Sequence, residues 1–351
     1  MNRNIHPNSL SEPIDFVIPW VDGNDPEWLA LRNRYLGQQI ENDRAPVLFD
    51  ASRNRFDDWG TLRYLFRSIE SCAPWVHKIH LITWGHVPQW LNITHPQLNI
   101  VRHQDYIPTR YLPTFSANTI ELNLHHLESL TEKFVYFNDD MFLLRKLTPD
   151  DFFKNGLPRL HARILPANMS RKTWFAMRTA NAAIVSDHFT TWQAVRNHPI
   201  AWFNPCDGIY SLVNIMLIPF GYFSMFWALH IPEAYLKSTF ETVWDKEFPL
   251  LHAVCMHKFR GNLDPNIWLM QNWQLATGRF TRREFSPGKS FHITSRDISL
   301  QAADYIRKQK GKMICVNDDL YDTDKMLLDS CKADVLSALE DRFPKKCRFE
   351  L

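Results

Sequence analysis

The apolar residues between positions 14 and 142 follow two alternating patterns. Short continuous apolar runs, such as 14–20 (IDFVIPW), are typical of buried strands. Longer segments with apolar residues three and four positions apart, such as 59–72, are typical of helices facing a core. These patterns predict strands at 14–20, 78–84, 98–103 and 133–137 and helices at 27–40, 59–72 and 120–127.

This alternation predicts the fold class. Strands that alternate with helices favour an α/β fold with a mostly parallel central sheet and helices on both faces, as in Rossmann-like or GT-A-like proteins. Ligands of such sheets bind beyond the carboxyl ends of the strands. The acidic loops 22–25 and 139–140 both follow predicted strands, so we expect them at that edge.

The second half of the chain is less regular and predicts an inserted helical lobe. We divide the chain into an N-terminal extension (1–13), an α/β half (14–155), the lobe (156–290) and a return to the sheet with a closing helix (291–351). We expect a hairpin or lobe at 160–185, strands near 291–294 and 313–316, and helices at 190–197, 234–247, 266–277, 297–308 and 324–343.

The most apolar stretch, 209–231, is interrupted by Asn214, Pro219, Gly221 and Ser224. A membrane-spanning helix needs about 20 mostly apolar residues, so we favour buried core over a membrane-touching surface. The first residues lack the apolar segment of a secretory signal. The six cysteines form no CxxC pair, which favours free thiols in a reducing cytosol. We therefore expect a soluble cytoplasmic protein.

Composition and missing motifs exclude several classes of function. Of 351 residues, 40 are Lys or Arg and 38 are Asp or Glu, so the net charge of +2 argues against a nucleic-acid-binding protein. The 45% hydrophobic content is that of a globular protein. The sequence contains no Walker loop, GxGxxG, GxSxG or HExxH motif, which removes the main signatures of P-loop enzymes, dinucleotide dehydrogenases, serine hydrolases and zincins.

Two acidic loops are candidates for metal binding. Asp139 and Asp140 are adjacent carboxylates at a strand end, and they repel each other unless a cation lies nearby. A hard divalent ion with oxygen ligands, Mg²⁺ or Mn²⁺, suits them; the alternative is an Asx turn. Asp318, which also follows a predicted strand, favours the metal site.

Other polar residues give weaker signals. The loop 22–26 can be a helix-entry turn with Asp25 as N-cap, and it can also offer backbone N–H groups to a phosphate. His230 precedes Ile231 and Pro232, and Arg260 lies four residues before Asp264. Taken alone, a His or Arg of this kind is more often a satisfied interior or surface residue.

Together, these segments resemble the Stealth family of sugar-phosphate transferases. The resemblance runs from about residue 14 to 320 in four ordered blocks. The first is 14–28 (IDFVIPWVDGNDPEW), and the second includes 55–70 (RFDDWGTLRYLFRSIE), 112–121 (LPTFSANTIE) and 134–142 (FVYFNDDMF). The later blocks contain His230, Arg260 and 314–318 (ICVND). Two segments depart from the family pattern: Pro19, where Thr is common, and 83–86, where Asn-Gly is common.

The resemblance implies the transfer of a hexose-1-phosphate, with N-acetylhexosamine-1-phosphate favoured, from a UDP-sugar to a sugar hydroxyl, with release of UMP. It implies Asp140, His230 and Arg260 as catalytic residues, with the base left open between Asp140 and His230. Mg²⁺ or Mn²⁺ is expected on Asp139, Asp140 and Asp318. The nucleotide sugar is expected to contact a set of residues in the first two blocks: Trp20, Val21, Asp22, Gly23, Arg63 and Asn138.

Capsule-type bacterial members are the nearer match, so the expected acceptor is a capsule or exopolysaccharide oligosaccharide, either free or lipid-linked. Association with the inner face of the cell membrane and a homo-oligomeric state stay open. Two rival classes also stay open. One is a metal-dependent glycosyltransferase that releases UDP, and the other is a non-catalytic protein that binds sugars or lipid carriers.

Overall fold

The computed structural model describes residues 12–41, 56, 58–168, 173–283, 286–320 and 324–351; most of the predicted extension 1–13 lies outside them. The strands are β1 (Ile14–Pro19), β2 (Ile79–Thr83), β3 (Leu98–Arg102), β4 (Lys133–Tyr136), β5 (Met141–Leu143), β6 (Phe153–Lys154), β7 (Leu157–Leu160), β8 (Glu233–Leu236), β9 (Thr281–Arg282), β10 (Gly288–Ile293) and β11 (Met313–Asp318). The helices are α1 (Pro26–Glu41), α2 (Leu62–Cys72), α3 (His103–Tyr106), α4 (Ala117–Leu122), α5 (Thr173–His188), α6 (Thr191–Asn197), α7 (Pro199–Trp202), α8 (Ile209–Leu217), α9 (Lys237–Met256), α10 (Trp268–Thr277), α11 (Arg296–Arg307) and α12 (Lys325–Arg342).

The central sheet has the strand order β3-β2-β1-β4-β8. Strands β3, β2, β1 and β4 run parallel, and β8 pairs antiparallel with β4. In this register Phe16 of β1 lies opposite Ile79 of β2 and Val135 of β4. The predicted α/β fold with a mostly parallel sheet is confirmed.

The sheet is covered on both faces. Successive side chains of a strand point to opposite faces, and those of β1 enter two different hydrophobic clusters. Phe16 and Ile18 pack in a cluster with α2, α11 and α12. Val17 packs in a second cluster with α5, α9 and α10, which belong to the predicted lobe. The lobe therefore covers one face of the sheet.

A second sheet has the order β10-β11-β5, with β10 parallel and β5 antiparallel to β11. The prediction that 291–351 returns to the central sheet is therefore wrong, because its strands pair with β5 instead. Strand β5 follows β4 after only the residues 137–140, so this short turn joins the two sheets. The division of the chain at 155/156 and 290/291 stays a prediction.

The lobe differs in detail from its prediction. The segment 160–185, predicted as a hairpin or lobe, contains the lobe helix α5; the hairpin is β6 with β7, just before it. The predicted helix 234–247 begins later, at Lys237, because Glu233–Leu236 forms β8. All four residues of β8 are buried against β4, so pairing within the sheet overrides the local helical pattern.

The apolar stretch 209–231 is only half buried. Ile218, Phe223 and Phe226 lie in the core, as predicted. The prediction is wrong for α8, whose Ile209 and Met216 are 70% and 71% exposed. No helix in the described part of the chain combines the length and apolar character needed to cross a membrane.

The expectation of free thiols is confirmed for the cysteines that the structure describes. These residues are all buried: Cys72, Cys255, Cys315, Cys331 and Cys347. The side chain of Cys206 lies outside the description.

Candidate functional site

A cavity of about 770 Å³ opens where β1 and β4 end, at the predicted edge of the central sheet. This volume is within the usual range for small-molecule sites, about 300–1,000 Å³. The cavity lies between the two sheets and the lobe. Most of the predicted site residues line it: Trp20, Val21, Asn138, Asp139, Asp140, His230, Arg260 and Asp318.

The acidic turn Asn138–Asp140 forms one wall because it joins the two sheets. The N–H of Phe137 donates to Val17 O in β1, which fixes the end of β4. The N–H of Met141 then donates to Asn138 O, and that of Val316 donates to Asp140 O. These bonds hold the turn between β1 and β11, so the carboxyl end of β11 brings Asp318 to the same cavity.

The acidic groups raise each other's proton affinity. Withdrawal from water, with the negative charges of Asp140 and Asp58 nearby, raises the pKa of Asp139 to about 8. Burial also raises the pKa of Asp58, which lines the cavity and was not identified from the sequence. Carboxylates that share a site in this way ionise together only when positive charge compensates them.

His230, just before β8, contacts this turn. Its Nε2 lies 3.1 Å from the side-chain nitrogen of Asn138, an arrangement in which the amide donates and the imidazole nitrogen accepts. Asp140, His230 and Cys315 offer potential ligand atoms that all lie within 4.8 Å of one another. Burial and the charge of Asp140 hold the pKa of the Cys315 thiol well above its usual range, so Cys315 donates to Asp140 Oδ2 (3.3 Å) rather than acting as a thiolate.

The residues of this wall suit a hard divalent cation. Asp139, Asp140 and Asp318 present carboxylate oxygens, which Mg²⁺ and Mn²⁺ prefer, and a protonated thiol is a poor ligand for either ion. The raised pKa of Asp139 reports a local excess of negative charge that a cation would relieve. Asp139 and Asp318 line the cavity but are not part of the compact group formed by Asp140, His230 and Cys315.

Two arginines form a positive wall. Arg260 lines the cavity, and its charge partly offsets the burial that raises the pKa of Glu121. Arg178 on α5 also lines it, with Nη2 donating to Ala228 O (2.7 Å) and the guanidinium 4.8 Å from the ring centroid of Trp268. Burial lowers the pKa of Arg178 to about 10, so it stays cationic at neutral pH. Arg178 carries no local signal of function in the sequence, because a single charged residue on a helix usually faces solvent.

Glu121 lines the cavity and joins two elements of its wall. This buried carboxylate of α4 accepts hydrogen bonds from the Tyr136 hydroxyl (2.9 Å) and from the Ile267 N–H (3.1 Å). It thereby ties β4 to the start of α10. Glu233, the first residue of β8, is a second buried carboxylate on the wall. Burial raises its pKa to about 7, and the positive charge of Arg283 offsets part of this rise.

The loop after β1 places Trp20 and Val21 on the wall but not the two residues that follow. The Asp22 N–H donates to His86 Nε2 (2.8 Å), and the Asp22 carboxylate accepts from the Asn24 N–H (2.9 Å). Asp25 Oδ1 accepts from the Trp28 N–H at the start of α1 (2.8 Å). The helix-entry turn is therefore present, and Asp22 shapes the loop from outside the cavity wall.

Gly23 and Arg63 also stand apart from the cavity wall. A Cβ on Gly23 would lie 1.7 Å from Phe56 O, so glycine is needed there for the close approach of a second backbone. Arg63 lies on α2 with its guanidinium 5.5 Å from the ring centroid of Trp90. Arg63 is not among the residues that line the cavity, and its predicted contact with a nucleotide stays a prediction.

Comparison with known proteins identifies the family. Residues 12–39 match the model of Stealth protein CR1, conserved region 1, and residues 55–160 match Stealth protein CR2, conserved region 2. The chain is 38% identical to a capsular polysaccharide phosphotransferase WcwK of Streptococcus pneumoniae over 96% of this chain and 98% of that protein. The chain belongs to the Stealth family.

Other relatives of this Stealth protein have similar names. It is 34% identical to the exopolysaccharide phosphotransferase cps2G of Lactiplantibacillus plantarum, covering 96% of each chain. It is also 34% identical to the receptor polysaccharide phosphotransferase WefC of Streptococcus oralis, over 96% of this chain and 99% of that one. In structure it is similar to the apo form of the WbbM bifunctional glycosyltransferase, with a TM-score of 0.40, 12% identity, and coverage of 95% of this chain and 50% of that one.

The Stealth protein is thus an enzyme of the phosphotransferase type, and the family resemblance found in the sequence is confirmed. The two matched regions contain the loop after β1 and the acidic turn. Arg178, His230, Arg260 and Asp318 lie outside both regions, so their assignment to the site rests on their position around the cavity.

Proposed function

We propose that this Stealth protein transfers a hexose-1-phosphate from a UDP-sugar to a hydroxyl of a capsule or exopolysaccharide acceptor, with N-acetylhexosamine-1-phosphate favoured. The observation that carries the proposal is the cavity itself. One wall carries Asp139, Asp140 and Asp318, and another carries Arg178 and Arg260. Phosphoryl transfer requires this combination, because the protein mainly positions the reactants and neutralises charge.

In the proposed reaction, the acceptor hydroxyl attacks the β-phosphorus, which carries the sugar. A new phosphorus–oxygen bond forms, the bond from the β-phosphorus to the bridging oxygen breaks, and that oxygen leaves with UMP. Asp140 or His230 accepts the hydroxyl proton. Asn138 holds the His230 ring through its 3.1 Å contact with Nε2, a contact that must break before Nε2 can accept the hydroxyl proton. Cys315 orients the Asp140 carboxylate.

The arginines bind the diphosphate. Their planar guanidinium groups can donate two parallel hydrogen bonds to phosphate oxygens, and the stacking of Arg178 on Trp268 limits its motion. A Mg²⁺ or Mn²⁺ ion bound by Asp139, Asp140 and Asp318 would screen the negative charge of the diphosphate. In this proposal the nucleotide contacts Trp20 and Val21, which line the same cavity.

The acceptor is proposed to be an oligosaccharide, free or carried on a lipid, and the reaction to take place in the cytoplasm at the inner face of the membrane. The polysaccharides in the relatives' names support this choice of acceptor. The near-neutral net charge of the chain agrees with this proposal, because the charged groups inside one cavity handle the anionic donor without a basic protein surface.

The test is incubation of the purified protein with a panel of UDP-hexoses, Mg²⁺ and a capsule oligosaccharide, followed by phosphorus NMR. The proposal predicts a new phosphodiester resonance and the appearance of UMP with at least one donor. A sugar-containing product without phosphorus would support the glycosyltransferase alternative, and no turnover with any donor would support a binding protein.

A further inference from the structure

Helix α8 has an outward apolar side. Ile209, Leu212 and Met216 recur at helical spacing and are 61% to 71% exposed, and Ile215 beside them is also exposed. Phe220 and Tyr222, just after the helix, continue this surface and are both more than half exposed. We call this surface of six residues the α8 face. Contiguous exposed apolar surfaces of this kind mark interaction sites.

The orientation of α8 is fixed by its opposite side, which carries a polar residue. The Asn214 side chain is buried, accepts from the Ile164 N–H (2.8 Å) and donates to the carbonyl oxygens of Ala162 (2.9 Å) and Trp202 (2.8 Å). Rotating α8 to bury its apolar residues would break all three bonds and bring an amide to the surface. The hydrogen bonds of Asn214 therefore hold α8 with its apolar side facing outward.

The charge pattern around the α8 face matches a lipid surface. Residues 208–232 contain no Asp, Glu, Lys or Arg, so no charged group would have to enter an apolar phase. Helix α6 begins beside this face, because the Thr191 hydroxyl donates to Ile218 O (2.7 Å). The exposed side of α6 carries Trp192 and, one turn later, Arg196. Tryptophan rings and cationic side chains typically bind where anionic headgroups meet the acyl chains of a membrane.

The α8 face is also connected to the cavity. Tyr210 of α8 lies beside Trp227, with 6.3 Å between ring centroids, and the Arg163 guanidinium covers both rings. Ala228, the next residue, belongs to the cavity wall. Tyr210, Trp227 and Ala228 therefore link α8 to the cavity wall.

We infer that the α8 face docks this protein onto an anionic membrane surface, with the apolar side chains of α8 inserted among the lipids and Arg196 at the headgroups. This inference deepens the proposed location at the inner face of the membrane by naming the surface that binds it. Its test uses neither donor nor acceptor, so docking and the proposed reaction can fail separately. Docking of this kind suits a chain whose described helices include none able to span a membrane.

The experiment is co-sedimentation of the full chain with vesicles of phosphatidylethanolamine and phosphatidylglycerol, in the absence of any sugar substrate. The variant Leu212→Glu/Met216→Glu places two charges on the α8 face. We expect its partition coefficient to fall by at least about tenfold, because two inserted side chains are lost and two anions are added. The matched control is Leu300→Glu/Met326→Glu on α11 and α12, which changes two residues that are 47% and 72% exposed and should leave binding unchanged.

Circular dichroism of both variants shows whether each keeps its fold, and light scattering gives the oligomeric state. Weaker binding to vesicles of phosphatidylcholine alone would support the role of Arg196. The inference is overturned if the wild-type chain stays in solution, or if both double variants bind equally well. A third outcome also overturns it: the wild-type chain is a dimer that does not bind vesicles, and Leu212→Glu/Met216→Glu converts this dimer to a monomer. The α8 face would then join two copies of this chain.

Discussion

Replacement of Gly23 by alanine tests whether the loop after β1 shapes the cavity through backbone packing. A Cβ at this position would lie 1.7 Å from Phe56 O and 2.6 Å from Phe56 C. Since contacts of a carbon atom below about 3 Å are strongly repulsive, the two backbone segments must separate by roughly 1.3 Å. Phe56 lines the cavity, and so do Trp20 and Val21 just before Gly23. The substitution therefore displaces two parts of the wall at once.

A displacement of about 1 Å in groups that position a substrate costs on the order of 100-fold in rate. We expect kcat/KM for UMP release to fall by about 100-fold in Gly23→Ala, with a smaller loss of stability, about 1–3 kcal/mol, from overpacking. Initial rates and thermal unfolding separate the two effects. The matched control is Gly37→Ala inside α1, where a Cβ would meet nothing within 4 Å. It should leave the rate unchanged and raise stability by up to about 1 kcal/mol. A Gly23→Ala enzyme with a rate within about threefold of wild type would refute this reasoning.

Three further predictions concern single groups. Arg178→Ala should lower kcat/KM by about 100-fold and Arg178→Lys by less, because lysine keeps the charge without the planar fork; equal rates for both variants and wild type would remove Arg178 from the site. A Mg²⁺ ion bound by Asp139, whose pKa is raised to about 8 by burial and by the charges of Asp140 and Asp58, would have to displace a proton at lower pH. Calorimetry should then show Mg²⁺ affinity falling by up to about tenfold per pH unit below 8; an affinity independent of pH between 6 and 8 would contradict the assignment. Asn214→Leu leaves three buried backbone groups unpaired, so urea unfolding should show a loss of about 3 kcal/mol; a loss below about 1 kcal/mol would show that these bonds do not hold α8.

The parts of the fold predicted correctly are those with strong local periodicity. Strands β1 to β4 lie within two residues of their predicted positions, because each contains a short run of residues with high strand propensity. Strand β8 has four residues and directly precedes α9, so its local pattern is that of the helix, and only pairing with β4 makes it a strand. The second sheet pairs β5 with β11, which lie far apart in the sequence, and no local pattern reports such a partner.

The residues of the cavity also divide into those that a local sequence pattern predicts and those that it does not. Asp139 and Asp140 could be found because adjacent acids directly after a buried strand are unusual, and the family resemblance located His230 and Arg260. Arg178 and Asp58 carry no local signal of function, since single charged residues on a helix or loop usually face solvent. The exposed apolar side of α8 cannot be predicted from composition, because a single Asn decides which way the helix faces.

The central claim, that the β-phosphate moves with the sugar, is tested most directly by following that phosphate. The measurement uses a UDP-sugar labelled with ³²P only at the β-phosphate, with a capsule oligosaccharide acceptor and Mg²⁺. Transfer of hexose-1-phosphate predicts that the label enters the oligosaccharide and that the released UMP is unlabelled. Label recovered in UDP, with an oligosaccharide that has gained sugar but no ³²P, would contradict the account.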